Sequence, residues 1–97
     1  MIGKFEIGQL VATAGVAQMM KEDKAFAAFA KNSFARFLGC DWDEMDDRDK
    51  DQNESALKNN DDRLFAAYES KEHPDWKLWI ITEWDRSATT LLFPNEY

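Results

Sequence analysis

Seven residues between positions 26 and 38 constrain this chain more than any other feature. Phe26, Phe29, Ala30, Ser33, Phe34, Phe37 and Leu38 recur at the spacing of successive helical turns. They therefore share one helix face, apolar except for Ser33. Lys24, Lys31, Asn32 and Arg36 fall off that stripe. Asp23 is placed to cap the N-terminal end, and Gly39 to stop the helix. A helix with rings stacked down one side docks that side on a second layer, so the stripe reads as core rather than as a ligand groove.

The rest of the chain supplies that layer. Arg63 to Ser70, Trp76 to Glu83 and Thr89 to Phe93 read as strands. A loop holding His73 and Pro74 separates the first two, and the polar turn Asp85-Arg86-Ser87 separates the last two. Two successive hairpins make an antiparallel meander. Near the start, Phe5, Ile7, Leu10 and Val11 form a short strand whose edges Gly3 and Gly8 leave vague. Thr13 then caps a short helix from Ala14 to about Lys21, with Val16, Met19 and Met20 on its apolar side. A third helix runs from about Asp46 to Asn59, with Met45, Ala56 and Leu57 giving it a thin apolar side and Asn53 close to it. The expected fold is one α+β domain over residues 1–97: a short N-terminal strand, three helices, then a three-stranded antiparallel meander.

The strands are apolar on both faces. Leu78 and Ile80 oppose Trp79 and Ile81, and Leu91 and Phe93 oppose Leu92. An antiparallel sheet with one wet face alternates more cleanly. Both faces must be covered, either by helices on each side or by a second copy, which makes a homodimer through the second sheet face one expectation.

A chain of 97 residues buries roughly 60–70% of its unfolded surface, enough for one modest core. The single cysteine, Cys40, excludes an internal disulfide framework and fits a reducing compartment. No apolar run approaches a membrane span, and the segment Met1 to Leu10, with Lys4 and Glu6, does not read as a secretory leader. The expected location is the cytoplasm.

Charge is distributed unevenly. Residues 41–62 hold ten acids against Arg48, Lys50 and Lys58, a net charge of −7, which equals that of the whole chain. The remainder is neutral, with nine acids and nine bases. A solvated face accounts for such a run. It also serves as an electrostatic handle that steers a basic partner. The candidate contact residues are Asp43, Glu44, Asp46, Asp47, Asp49 and Asp51, with Trp42 as the adjacent aromatic. Direct nucleic-acid binding is not expected of an acidic chain without a basic stripe.

Candidates for chemistry are few. His73 is the only histidine, so no histidine cluster forms. Counted from Asp41, the acidic run has Asp46 and Gln52 where a calcium loop needs glycine and glutamate. No cofactor or metal is expected. The one polar set with catalytic potential is Glu83, Asp85 and Arg86, two carboxylates beside a cation at a strand end. It reads either as an acid–base pair or as turn chemistry.

The stretch Lys77-Leu-Trp-Ile-Ile-Thr-Glu-Trp-Asp-Arg-Ser-Ala-Thr-Thr-Leu-Leu-Phe-Pro-Asn-Glu-Tyr97 resembles the C-terminal signature of a family of small bacterial proteins. Its members are of similar length and are typically encoded on plasmids, prophages and other mobile elements. Gly8-Gln-Leu-Val-Ala-Thr13 with Gly15, Asp41-Trp42, Asn53, Ala56-Leu57 and Arg63-Leu64 through Ala67-Tyr68 extend the resemblance along the chain. Family members tend to carry an Arg-His pair and a Gly-Asp-Trp-Gly turn where this chain has Arg36-Phe37 and Cys40-Asp41-Trp42-Asp43. They also tend to have a serine where this chain has Ala66. Some relatives are labelled as restriction–modification subunits, but this chain lacks the glycine-rich cofactor loop and the length of a methyltransferase. The resemblance implies a mobile-element context, which favours accessory, defence or counter-defence roles; combined with the acidic run, it leads to the expectation of an inhibitor of a CRISPR or restriction effector.

Overall fold

A computed structural model describes residues 5–42, 45–59 and 62–97. The elements follow in the order β1 (Gln9–Ala12), α1 (Ala14–Glu22), α2 (Lys24–Leu38), α3 (Asp47–Asn59), β2 (Leu64–Glu69), β3 (Lys77–Thr82) and β4 (Ala88–Leu92). A short 3₁₀ turn over Pro94–Glu96 closes the series. The fold is α+β, with three helices against a four-stranded mixed sheet.

The helix boundaries follow from local chemistry. The Thr13 hydroxyl accepts from the Val16 N–H at 3.3 Å, and the Asp23 carboxylate accepts from the Ala25 and Phe26 N–H groups at 2.9 and 3.2 Å. Both caps satisfy donors that the first helical turn leaves free. Asp46 does the same for α3, accepting from the Asp49 N–H at 2.9 Å. At the end of α2 the left-handed residue is Cys40, with φ of 60°, and not Gly39.

The meander expectation needs one correction. β2, β3 and β4 do pair antiparallel, but the sheet order is β1-β4-β3-β2, and β1 adds to it parallel to β4. Gly8 makes this possible. Its φ is +62°, and a Cβ there would sit 2.3 Å from the Ser87 carbonyl carbon. Glycine thus lets the chain turn against the β3–β4 hairpin, where the Gln9 N–H donates to Ser87 O at 3.0 Å. Far from blurring the strand, this glycine admits it to the sheet.

One sheet face carries the core. Leu64, Ala66, Tyr68, Leu78, Ile80 and Leu91 pack against Val16 of α1, Phe26, Ala30 and Phe37 of α2, and Ala56 of α3. Each large side chain buried here contributes about 1.5–3 kcal/mol. Thr82 and Thr89, paired across β3 and β4, share a buried hydroxyl contact of 2.7 Å, and Thr89 also meets the Ile7 carbonyl.

The other sheet face carries a layer of rings. The register puts Phe65, Ala67, Trp79, Ile81 and Leu92 on that side. Phe65 meets Trp79 edge-on at 5.1 Å, and Tyr97 reaches back over Trp79 at 5.7 Å. Under these rings Ile81 and Leu92 are buried.

Candidate functional site

α3 is amphipathic in an unusual sense, because its packed side is held by a polar group as well as by apolar ones. Asn53 and Ala56 are buried, Leu57 half-buried. The Asn53 carboxamide donates to the Phe65 carbonyl at 2.7 Å and accepts from the Phe65 N–H at 3.1 Å. It bonds the strand as another peptide group would.

That anchoring fixes which side of α3 faces out. The helical period places Asp47, Asp51, Glu54 and Lys58 on one ridge opposite Asn53 and Ala56. All four are exposed. The side chains of Asp47 and Asp51 make no hydrogen bond or ion pair with any described residue. Glu54 receives the Trp42 indole N–H at 3.0 Å.

The sequence candidates divide on this geometry. Asp47 and Asp51 stand on the ridge. Asp46 is exposed and serves as the cap of α3. Asp49 shares its face with Asn53 and Ala56 and is half-buried. Asp43 and Glu44 lie outside the described residues. Trp42 is not a surface ring: it is 5% exposed and packs edge-on against Phe37 at 5.7 Å. Glu54 was not among the candidates, and its signal was its position three residues beyond Asp51 on the same helical side.

Among the described residues no ion pair joins Arg86 to the Glu83 or Asp85 carboxylate. Arg86 is 7% exposed and has φ of 61°. Its guanidinium donates to four carbonyls: Asp62 at 2.7 Å, Ala56 at 3.1 Å, Glu83 at 3.2 Å and Trp84 at 3.3 Å. The exposed Asp85 carboxylate accepts from the Ser87 N–H at 3.0 Å. The Ser87 hydroxyl, then that N–H, hold its carboxyl below the usual aspartate range. These bonds close the turn with the Arg86 guanidinium, the Asp85 carboxylate and the Glu83 backbone carbonyl.

Two hollows flank these elements. One, of about 610 Å³, is lined by Phe5, Glu6, Cys40, Glu54, Leu57, Asp85 and Arg86. The other, of about 990 Å³, runs between α2 and the β2–β3 loop past Phe29, Arg36 and Trp76. Beside it His73 stacks on Trp76 at 4.0 Å, and Arg36 pairs with Asp41 at 2.8 Å. Among the described residues no group of three His, Cys, Asp or Glu side chains is placed to hold a metal ion. No described helix is long and apolar enough to cross a membrane. No protein-family model, curated protein or solved structure matches this chain.

Proposed function

We propose that this protein is a non-enzymatic binding module that docks a basic macromolecular partner along the outward ridge of α3. One observation carries the reading: Asp47 and Asp51 are exposed, one helical turn apart, and have no partner among the described residues. Like charges at that spacing cost the helix a few tenths of a kcal/mol, a cost that a cationic partner would relieve. The surrounding excess of −7 would speed encounter with a positive surface. A nucleic-acid-binding groove on another protein is such a surface, since it is built to receive a row of negative charges. Together with the mobile-element origin that the C-terminal stretch suggests, this makes an inhibitor of a CRISPR or restriction effector the favoured biological role.

The test is affinity capture from host lysate at low and high salt, followed by titration of the captured protein. Asp47→Lys with Asp51→Lys is expected to weaken binding at least tenfold at low salt, about 1.4 kcal/mol, while circular dichroism stays unchanged. Binding that ignores both salt and the charge reversal would rule the ridge out.

A further inference from the structure

The sheet has two edges, and the chain treats them differently. Along β2, α3 lies against the strand, and the Asn53 carboxamide occupies both the N–H and the C=O of Phe65. At Phe65 that edge is closed, while strand alternation turns the peptide groups of Ala67 and Glu69 outward beyond the Asn53 contact. Along β1 the bonds to β4 come from Gln9 and Thr13. Alternation in the parallel ladder therefore turns the peptide groups of Leu10 and Ala12 outward. No described residue bonds to them. All four residues of β1 are exposed, Leu10 at 51% and Val11 at 37%. Proteins normally blunt an open edge with Lys, Pro, a bulge or a covering element. Gln-Leu-Val-Ala carries no charge and no proline.

We infer that β1 pairs with β1 of a second copy of this chain, antiparallel about a two-fold axis at Val11. The distribution of charge argues for a second copy as the occupant. The whole excess of −7 lies in residues 41–62, most of it on the acids that flank α3, and α3 itself packs along β2 at the far side of the sheet. A joint at β1 keeps the α3 helices of the two copies at opposite ends of one continuous sheet. Seven strand spacings of about 4.8 Å separate the two β2 strands, roughly 34 Å. That is several Debye lengths at physiological salt. Contact through the β2 side would instead bring together the α3 helices and the acids that flank them. The joint itself is neutral and self-complementary, as a two-fold interface requires.

The register follows from the outward groups. Leu10 exchanges both backbone bonds with Ala12 of the second copy, and Ala12 with Leu10, about four hydrogen bonds in all. Val11 faces Val11 in the closer, non-hydrogen-bonded pair, on the outer side of the sheet. The helix layers of both copies lie on the same side. An interface this small belongs to the transient class, with affinity on the order of micromolar.

This inference stands apart from the acidic-ridge reading, and sedimentation velocity over a wide micromolar range tests it. The wild-type chain is expected to shift from monomer to dimer, and Val11→Lys, which sets two ammonium groups across the axis, to remain monomeric with an unchanged circular dichroism spectrum. In Val11→Cys the paired Cα atoms would lie about 4.5 Å apart, within disulfide reach. Mild oxidation should give a covalent dimer, mapped to the substituted position by peptide mass. A wild-type chain that stays monomeric overturns the proposal and leaves the edge to a foreign strand. A dimer that survives Val11→Lys overturns it too, and moves the interface to the outer sheet face. If Val11→Lys fails to fold, the cross-link decides, and its absence counts against the pairing.

Discussion

Arg86 binds three parts of the chain that are distant in sequence. Its guanidinium gathers the carbonyls of Ala56, at the end of the α3 packing face, of Asp62, before β2, and of Glu83 and Trp84, in the β3–β4 turn. Removing it leaves those acceptors without their donor, and the Ala56 contact is buried. Arg86→Met is therefore expected to cost about 3 kcal/mol or more in urea unfolding. Arg86→Lys should recover only part of this, because an ammonium lacks the planar fork. A loss under about 1 kcal/mol would mean that water replaces the guanidinium. Glu96 is a second residue acting at a distance. Its carboxylate accepts from the Thr13 hydroxyl at 2.7 Å and from the Phe93 N–H at 2.8 Å, tying the 3₁₀ turn to the start of α1. The Thr13 hydroxyl, then the Phe93 and Gly15 N–H groups, hold its carboxyl below the usual glutamate range. A lowered folded pKa stabilises above the ordinary value, and that contribution is lost as pH falls through the lowered one. Melting temperature should therefore fall with acid more steeply for the wild type than for Glu96→Gln. Equal slopes would mean that Glu96 does not contribute. Asp85 titrates in the same direction in both proteins, so the difference isolates Glu96.

Among the elements, α2 and the three C-terminal strands were legible because their signals are local. The Phe26-to-Leu38 stripe and the alternations around Ile80 need no knowledge of what they pack against. α3 was legible to within a residue of its start, since its caps and early acids are also local. β1 was legible as a strand but not as a partner of β4, because parallel pairing is decided by Ser87 and Leu91, far along the chain, and by the tight passage at Gly8. The site was read less well. Trp42 stood as a candidate contact beside the acids because its indole partner, Glu54, is not adjacent in sequence. Arg86 looked like the partner of neighbouring carboxylates because backbone carbonyls leave no trace in composition. Asn53 was visible only as a polar residue near an apolar side, which is what a buried amide paired with a strand looks like before the fold is known. Its role gives a test at this scale. Asn53→Leu keeps the branched shape but leaves the Phe65 N–H and C=O without partners, at a cost of about 2–3 kcal/mol in chemical unfolding. A neutral result would mean that α3 docks through Ala56 and Leu57 alone.

At the scale of the molecule, charge and edge chemistry run in opposite directions across one sheet. α3 guards the β2 edge at Phe65, and the neutral, apolar β1 lies exposed at the other. Two copies joined at β1 would leave their β2 edges outermost, each guarded by its own α3. The closure depends on how firmly α3 is held. Polar ties secure it, among them the Asn53 amide on Phe65, the Ala56 carbonyl on Arg86, the Trp42 indole on Glu54 and the Gln52 amide on Asp62, while the like charges on its ridge push against it. Should α3 lift away as a unit, β2 is bared and each copy acquires a second joining end. Growth would then have no terminator, and a chain that pairs through β1 would become a link in an open-ended filament. In that case Asn53 and Arg86 would guard against assembly as well as unfolding.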